Sequence, residues 1–122
     1  MDSTGVFDLA VAAERIPGGP EAVREMAGIL LQECSRYMQQ IRDGLDRQDA
    51  KVVERAAHTV KGNADYFGAA AVVAAALRVE TLGRDAKLDE AKEAMGALEH
   101  EVARLEAALR DLISGGGAEP AG

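Results

Sequence analysis

His58, Lys61, Gly62 and Asp65 recur in steps of three and four along one short stretch of the chain. Apolar residues in the same stretch, Val53, Ala56, Ala57, Val60, Ala64 and Phe67, have helical spacing. At about 100° per residue, those apolar side chains centre nearly opposite His58. Lys61 and Gly62 fall on the histidine's own side one turn on, and Asp65 after two turns. The helix therefore carries an imidazole at the middle of its wet face. An exposed imidazole, with an ordinary pKa of about 6.5, is mostly neutral at pH 7 and offers a nucleophilic lone pair. A flexible ammonium beside it neutralises an anion that arrives at, or is attached to, the ring. Glycine inside a helix costs about 1 kcal/mol relative to alanine, so Gly62 needs a reason, and clearance for a bulky incoming group is a good one. The plainer readings are a solvated histidine, a lysine paired with Asp65, and a helix fraying towards Gly68.

A fourth group enters from the next helix. If that helix returns antiparallel after a tight turn at Gly68, Glu80 passes His58 at roughly equal distance from the turn. A carboxylate accepting a hydrogen bond from Nδ1–H fixes the tautomer and leaves the Nε2 lone pair free. Arg84, one turn beyond Glu80, is a candidate contact for the bound anion, and Tyr66, with Asp65, for a docking surface at the edge of the face.

The elements that must hold these groups are all helical. Phe7 to Ile16 makes a short helix, ended by Pro17-Gly18-Gly19-Pro20. A second helix runs from Pro20, which suits a first turn, to about Leu45, with Gly44 weakening its end. Asp49 is a natural N-cap for the helix bearing His58, and Gly68 a natural stop. Ala69 to Leu82 reads as a fourth helix closed by Gly83. The last helix carries a heptad-like seam of Leu88, Ala91, Met95, Leu98, Val102, Leu105, Leu109 and Leu112. That seam suits one wall of an antiparallel bundle or, alternatively, a dimeric coiled coil. The expected architecture is all-α: an antiparallel four-helix bundle with a short additional N-terminal helix over residues 6–113, followed by a flexible tail or linker over 114–122.

Composition narrows the function classes. The 122 residues suffice for one domain with a real core, and aromatics make up only 3% of them, so Ala, Leu, Val and Met must fill it. The net charge is −7, with no basic run to neutralise a line of phosphates, which argues against nucleic acid. The basic amphipathic face of a membrane-surface helix is missing, as is an apolar run of about eighteen residues, so no membrane is expected. The start lacks the pattern of a signal peptide, and a cytoplasmic location is the expectation. The lone Cys34 lies on the apolar stripe of the second helix, a buried structural thiol. Neither a glycine-rich phosphate loop of the nucleotide-binding kind nor a Glu-x-x-His metal pair is present. His100 lies opposite the heptad seam and reads as solvated.

His58-Thr59-Val60-Lys61-Gly62, followed by Phe67-Gly68, resembles the His-x-x-Lys-Gly motif of the histidine-containing phosphotransfer (HPt) family, with Ala56-Ala57 before it and Val79-Glu80 on the next helix. The resemblance covers essentially Phe7 to Ile113. Asn63 stands where a smaller residue is usual, and Asp65 adds a negative charge that could draw Lys61 aside. The resemblance implies a phosphorelay carrier of two-component signalling: His58 accepts a phosphoryl group from a receiver-domain aspartate and passes it to another receiver. It also implies Lys61 as phosphate-stabilising, Gly62 as clearance and Glu80 as imidazole-orienting. No cofactor of its own is implied, the Mg²⁺ being expected on the receiver, and no independent catalytic machinery. Expected partners are response-regulator receiver domains and a hybrid histidine kinase, with the chain itself a monomer. Two alternatives share the motif: the phosphoacceptor domain of a chemotaxis-type histidine kinase, and a helical module that binds receivers without being phosphorylated.

Overall fold

The computed structural model describes residues 6–115. Five helices account for nearly all of them: α1 (Leu9–Arg15), α2 (Gly19–Asp46), α3 (Ala50–Tyr66), α4 (Ala70–Arg84) and α5 (Leu88–Ser114). The four long helices form a ring in which α3 packs on α2 and α4, and α5 packs on the other sides of the same two. α3 and α5 are therefore diagonal neighbours across the core. The expected tail falls mostly on residues outside those described.

Local chemistry explains where the helices begin and end. Asp49 caps α3 by accepting a hydrogen bond from the Val52 N–H at 3.2 Å, satisfying a donor that the first turn leaves unpaired. Gly68, at φ +63°, supplies the left-handed residue that turns the chain from α3 into α4. A side chain there would meet Asp8 and Val11, because α1 lies directly over this turn. The N-terminal helix is shorter than its apolar pattern implies. Asp8 is its N-cap, accepting from the Ala10 and Val11 N–H groups, while Phe7 stays outside and stacks on Phe67 with ring centroids 5.7 Å apart. The Asp8 N–H also donates to the Phe67 carbonyl at 2.7 Å.

The heptad-like seam of α5 is used within the chain. Ala91, Met95, Leu98, Val102, Leu105, Leu109 and Leu112 are all buried, together with Ala94. The core against them comes from Leu30, Cys34, Met38 and Ile41 of α2, Val53, Val60 and Phe67 around α3, and Val72 and Val79 of α4. Burial pushes the Cys34 thiol up to about 12, so it is an inert packing element.

Two glycines do something other than end helices. Gly83 lies inside α4, not beyond it, and is buried; a Cβ on it would sit 2.9 Å from the Glu54 backbone nitrogen. Gly44 is likewise buried, and its Cβ would meet Val52 and Val53 at 3.0 Å. Both let neighbouring helices approach α3 near its N-terminal end. The left-handed turn between α4 and α5 falls instead on Ala86, at φ +58°.

Candidate functional site

His58 projects from the middle of α3 with its side chain 66% exposed. Opposite it, α4 presents Glu80, the one charged side chain among the described residues that is buried, at 6% side-chain exposure. The carboxylate holds three cationic or protonated partners. Its Oε2 lies 2.9 Å from His58 Nδ1 and 3.3 Å from an Arg84 guanidinium nitrogen. Its Oε1 lies 2.7 Å from Lys61 Nζ in an ion pair. Burial pushes the Glu80 carboxyl up, but the Lys61 ammonium and the His58 ring together outweigh it and hold the carboxyl below its ordinary value. Glu80 is therefore ionised at neutral pH. With an anionic acceptor at Nδ1, the neutral ring carries its proton there and leaves Nε2 unprotonated towards solvent.

Close approach of the two helices makes this geometry possible. Gly83 sits one turn from Glu80 and lets α4 lie against the backbone of Glu54. Arg84 then reaches across, its Nε 3.3 Å from a Glu54 carboxylate oxygen. Arg84 is thus engaged by Glu54 and Glu80 together, where the sequence suggested a side chain available to an incoming anion.

Asp65 differs from its expected behaviour as well. It does not draw Lys61 aside. Its carboxylate pairs with Arg15 of α1 at 3.2 Å, and Arg15 also donates to the Asp65 backbone carbonyl. Lys61 goes to Glu80 because a carboxylate removed from water attracts a cation more strongly than the exposed Asp65. Helix spacing alone cannot weigh these two partners, and Arg15 is fifty residues away in sequence. Asn63 carries a cost in this setting: its amide nitrogen is buried with no partner among the described residues.

Gly62 faces open space: a Cβ added to it would have no neighbouring atom within 4 Å. The room beside the imidazole is therefore on the outside of the protein, where a partner would lie. Tyr66, 47% exposed, follows Gly62 by one turn on α3, and Leu77, 46% exposed, precedes Glu80 by one turn on α4. Leu77 was not anticipated from the sequence, because α4 is apolar on nearly every side. Its place one turn before Glu80 is the signal that could have found it. Gly62→Leu is expected to leave the melting temperature within a few degrees of wild type while blocking access to His58, a separation read by thermal unfolding alongside receiver binding.

Among the described residues, no group of three or more His, Cys, Asp or Glu is placed to hold a metal ion. None of the described helices is long and apolar enough to cross a membrane.

A family model, the Hpt domain, matches residues 25–108. The chain belongs to that family of histidine-containing phosphotransfer domains. A search of curated proteins finds no match. Among solved structures, the chain is similar to histidine-containing phosphotransfer protein B (HptB) from Pseudomonas aeruginosa PAO1. The two share 17% identity and superpose with a TM-score of 0.82, over 89% of this chain and 95% of that one. At that identity the likeness establishes the fold. The chain is thus a phosphotransfer carrier of two-component phosphorelays, a domain that works with response-regulator receivers and kinases.

Proposed function

We propose that His58 is the residue that carries the phosphoryl group. The observation behind this is the contact between Glu80 Oε2 and Nδ1, 2.9 Å long, on a histidine whose side chain is 66% exposed. The Nε2 lone pair attacks the phosphorus of a receiver's aspartyl phosphate. An N–P bond forms as the O–P bond breaks, and the electron pair leaves with the aspartate carboxylate. Because Nδ1 keeps its proton, the phosphorylated ring bears a positive charge, and Glu80 offsets it. Attack by a second receiver's aspartate on the phosphorus reverses the bond changes and returns the lone pair to Nε2.

The neighbours take supporting roles in this reading. Lys61 neutralises the phosphoryl oxygens, and its ion pair with Glu80 holds it beside the ring beforehand. Gly62 supplies clearance. Arg84 ties Glu80 to Glu54 and so helps hold the carboxylate in place, and Tyr66 and Asp65 belong to the surface a receiver covers. The carrier domain spans residues 6–113. Mg²⁺ for the transfer belongs to the receiver. A monomer fits the burial of the α5 seam within one chain, and in this reading it exchanges phosphoryl groups with receivers and a hybrid kinase in the cytoplasm.

The test is to incubate the protein with phosphorylated receiver domains and look for phosphate on it that is labile to acid and stable to base. Wild type is expected to label and His58→Gln to remain blank. Unlabelled wild type with every receiver tried, or full labelling of the variant, would overturn the assignment.

A further inference from the structure

The face around His58 is electrically lopsided. Lys51 lies two turns before His58 on α3 and nearly in line with it, and Arg55 lies one turn before, slightly to one side. Both are exposed, and neither joins an ion pair among the described residues. With Glu54, His58, Thr59 and Glu80 they line an open groove of about 570 Å³. The acids in the groove are already taken: Glu54 by Arg84, and Glu80 by three partners. Beyond His58 the picture reverses. Asp65 is neutralised by Arg15, and Tyr66 and Leu77 present uncharged surface.

We propose that Lys51 and Arg55 form a cationic docking rim that receives the carboxylates around the receiver's phosphorylated aspartate, and so fix which way round the receiver sits on α3. This rests on the reading of His58 as the phosphoryl carrier. A phosphorylated receiver that binds Mg²⁺ presents the phosphoryl oxygens together with the one or two carboxylates that hold the ion, and these together outweigh the cation and leave the transfer face net negative. The present chain has a net charge of −7 and would repel such a face at long range. Within a Debye length of about 8 Å, however, local charges dominate. The unpaired Lys51 and Arg55 make the N-terminal flank of His58 the attractive side. The acidic rim of the receiver therefore lies along the groove, and its uncharged surface lies over Tyr66 and Leu77.

The test uses the receiver that labels wild type fastest. Transfer is measured from that phosphorylated receiver to wild type, to a Lys51→Glu/Arg55→Glu double variant, and to Lys92→Glu, an exposed reversal on the diagonal helix α5. At low ionic strength the double variant is expected to lose about tenfold or more in kcat/KM, with Lys92→Glu within about twofold of wild type. Near 0.5 M salt the deficit should close to about twofold, while the rate inside the saturated complex stays unchanged. A Lys51→Gln/Arg55→Gln variant should fall between. Equal rates for wild type and the double variant would overturn the docking rim and leave His58 as carrier intact. A deficit that persists undiminished at high salt would also overturn it, by marking a loss of packing. If no receiver labels wild type, the carrier reading fails, and the rim fails with it.

Discussion

Replacing Glu80 with Ala is expected to slow phosphoryl capture from a charged receiver about a hundredfold while leaving the bundle folded. Two losses combine. Without its acceptor, the imidazole turns freely and exchanges its proton between Nδ1 and Nε2, so the attacking lone pair points at the phosphorus only part of the time. The positive charge of the phosphorylated ring also goes without the carboxylate that offsets it. The fold is spared because the cations left behind have access to water: Lys61 is 25% exposed and Arg84 53% exposed. Ring ¹⁵N shifts are the direct check, with Nδ1-protonated His58 in wild type and a tautomer mixture in Glu80→Ala. Glu80→Gln accepts the same hydrogen bond without the charge and should keep the tautomer but recover only part of the rate. Identical rates in all three proteins would sink the positioning role. The pH dependence has a fixed sign. A carboxyl held below its ordinary value of 4.5 contributes stability fully above that pH and loses it as the pH falls through the depressed folded-state value. The stability difference between wild type and Glu80→Ala should therefore shrink as the pH falls through that acid range.

Gly83→Ala is expected to damage both stability and transfer, although it adds a single methyl group far from any reacting atom. That methyl would sit 2.9 Å from the Glu54 nitrogen and 3.2 Å from its Cα. Backbone cannot swing away as a side-chain tip can, so α4 must lift from α3. Overpacking of this kind costs about 1–3 kcal/mol. The same lift carries Glu80 away from His58, so the variant should also show part of the tautomer mixing seen in Glu80→Ala. Gly96→Ala on α5 is the control. Nothing lies within 4 Å of its added carbon, and a helical glycine replaced by alanine should gain up to about 1 kcal/mol. Urea unfolding of the two variants, followed by ring ¹⁵N shifts, separates the outcomes. A Gly83→Ala protein as stable as wild type, with an unmixed tautomer, would show that the crossing has slack.

What could be read from the sequence divides along physical lines. Properties that repeat with the helical period were legible: the dry stripe of α3, the α5 seam, and His58 opposite the core. So were features set by a residue's own backbone or cap chemistry, such as Asp49 and Gly68. Glu80 was found because a tight turn makes distances along two antiparallel helices commensurate. Properties that depend on how closely two helices approach were not legible. Gly83 and Gly44 looked like weak helix ends because glycine often marks one, and nothing local distinguishes an end from a crossing. The competition for Lys61 was equally hidden. It is decided by which carboxylate is dry, and dryness is a property of the assembled bundle. Arg15 reaches Asp65 only because α1 folds back over the Gly68 turn.

That folded-back helix has a consequence in time as well as in space. α1 has seven residues, of which only Ala12 is buried, and it is fastened at its ends by Phe7 on Phe67, by the Asp8 to Phe67 hydrogen bond and by Arg15 on Asp65. So short an element opens at a fraction of the free energy needed to unfold the whole bundle. Each opening strips Asp65 of its counter-charge, two turns from His58. Amide hydrogen exchange over α1 is therefore expected to be faster than over α3 and α5, and a receiver that meets the opened form would face a more acidic surface.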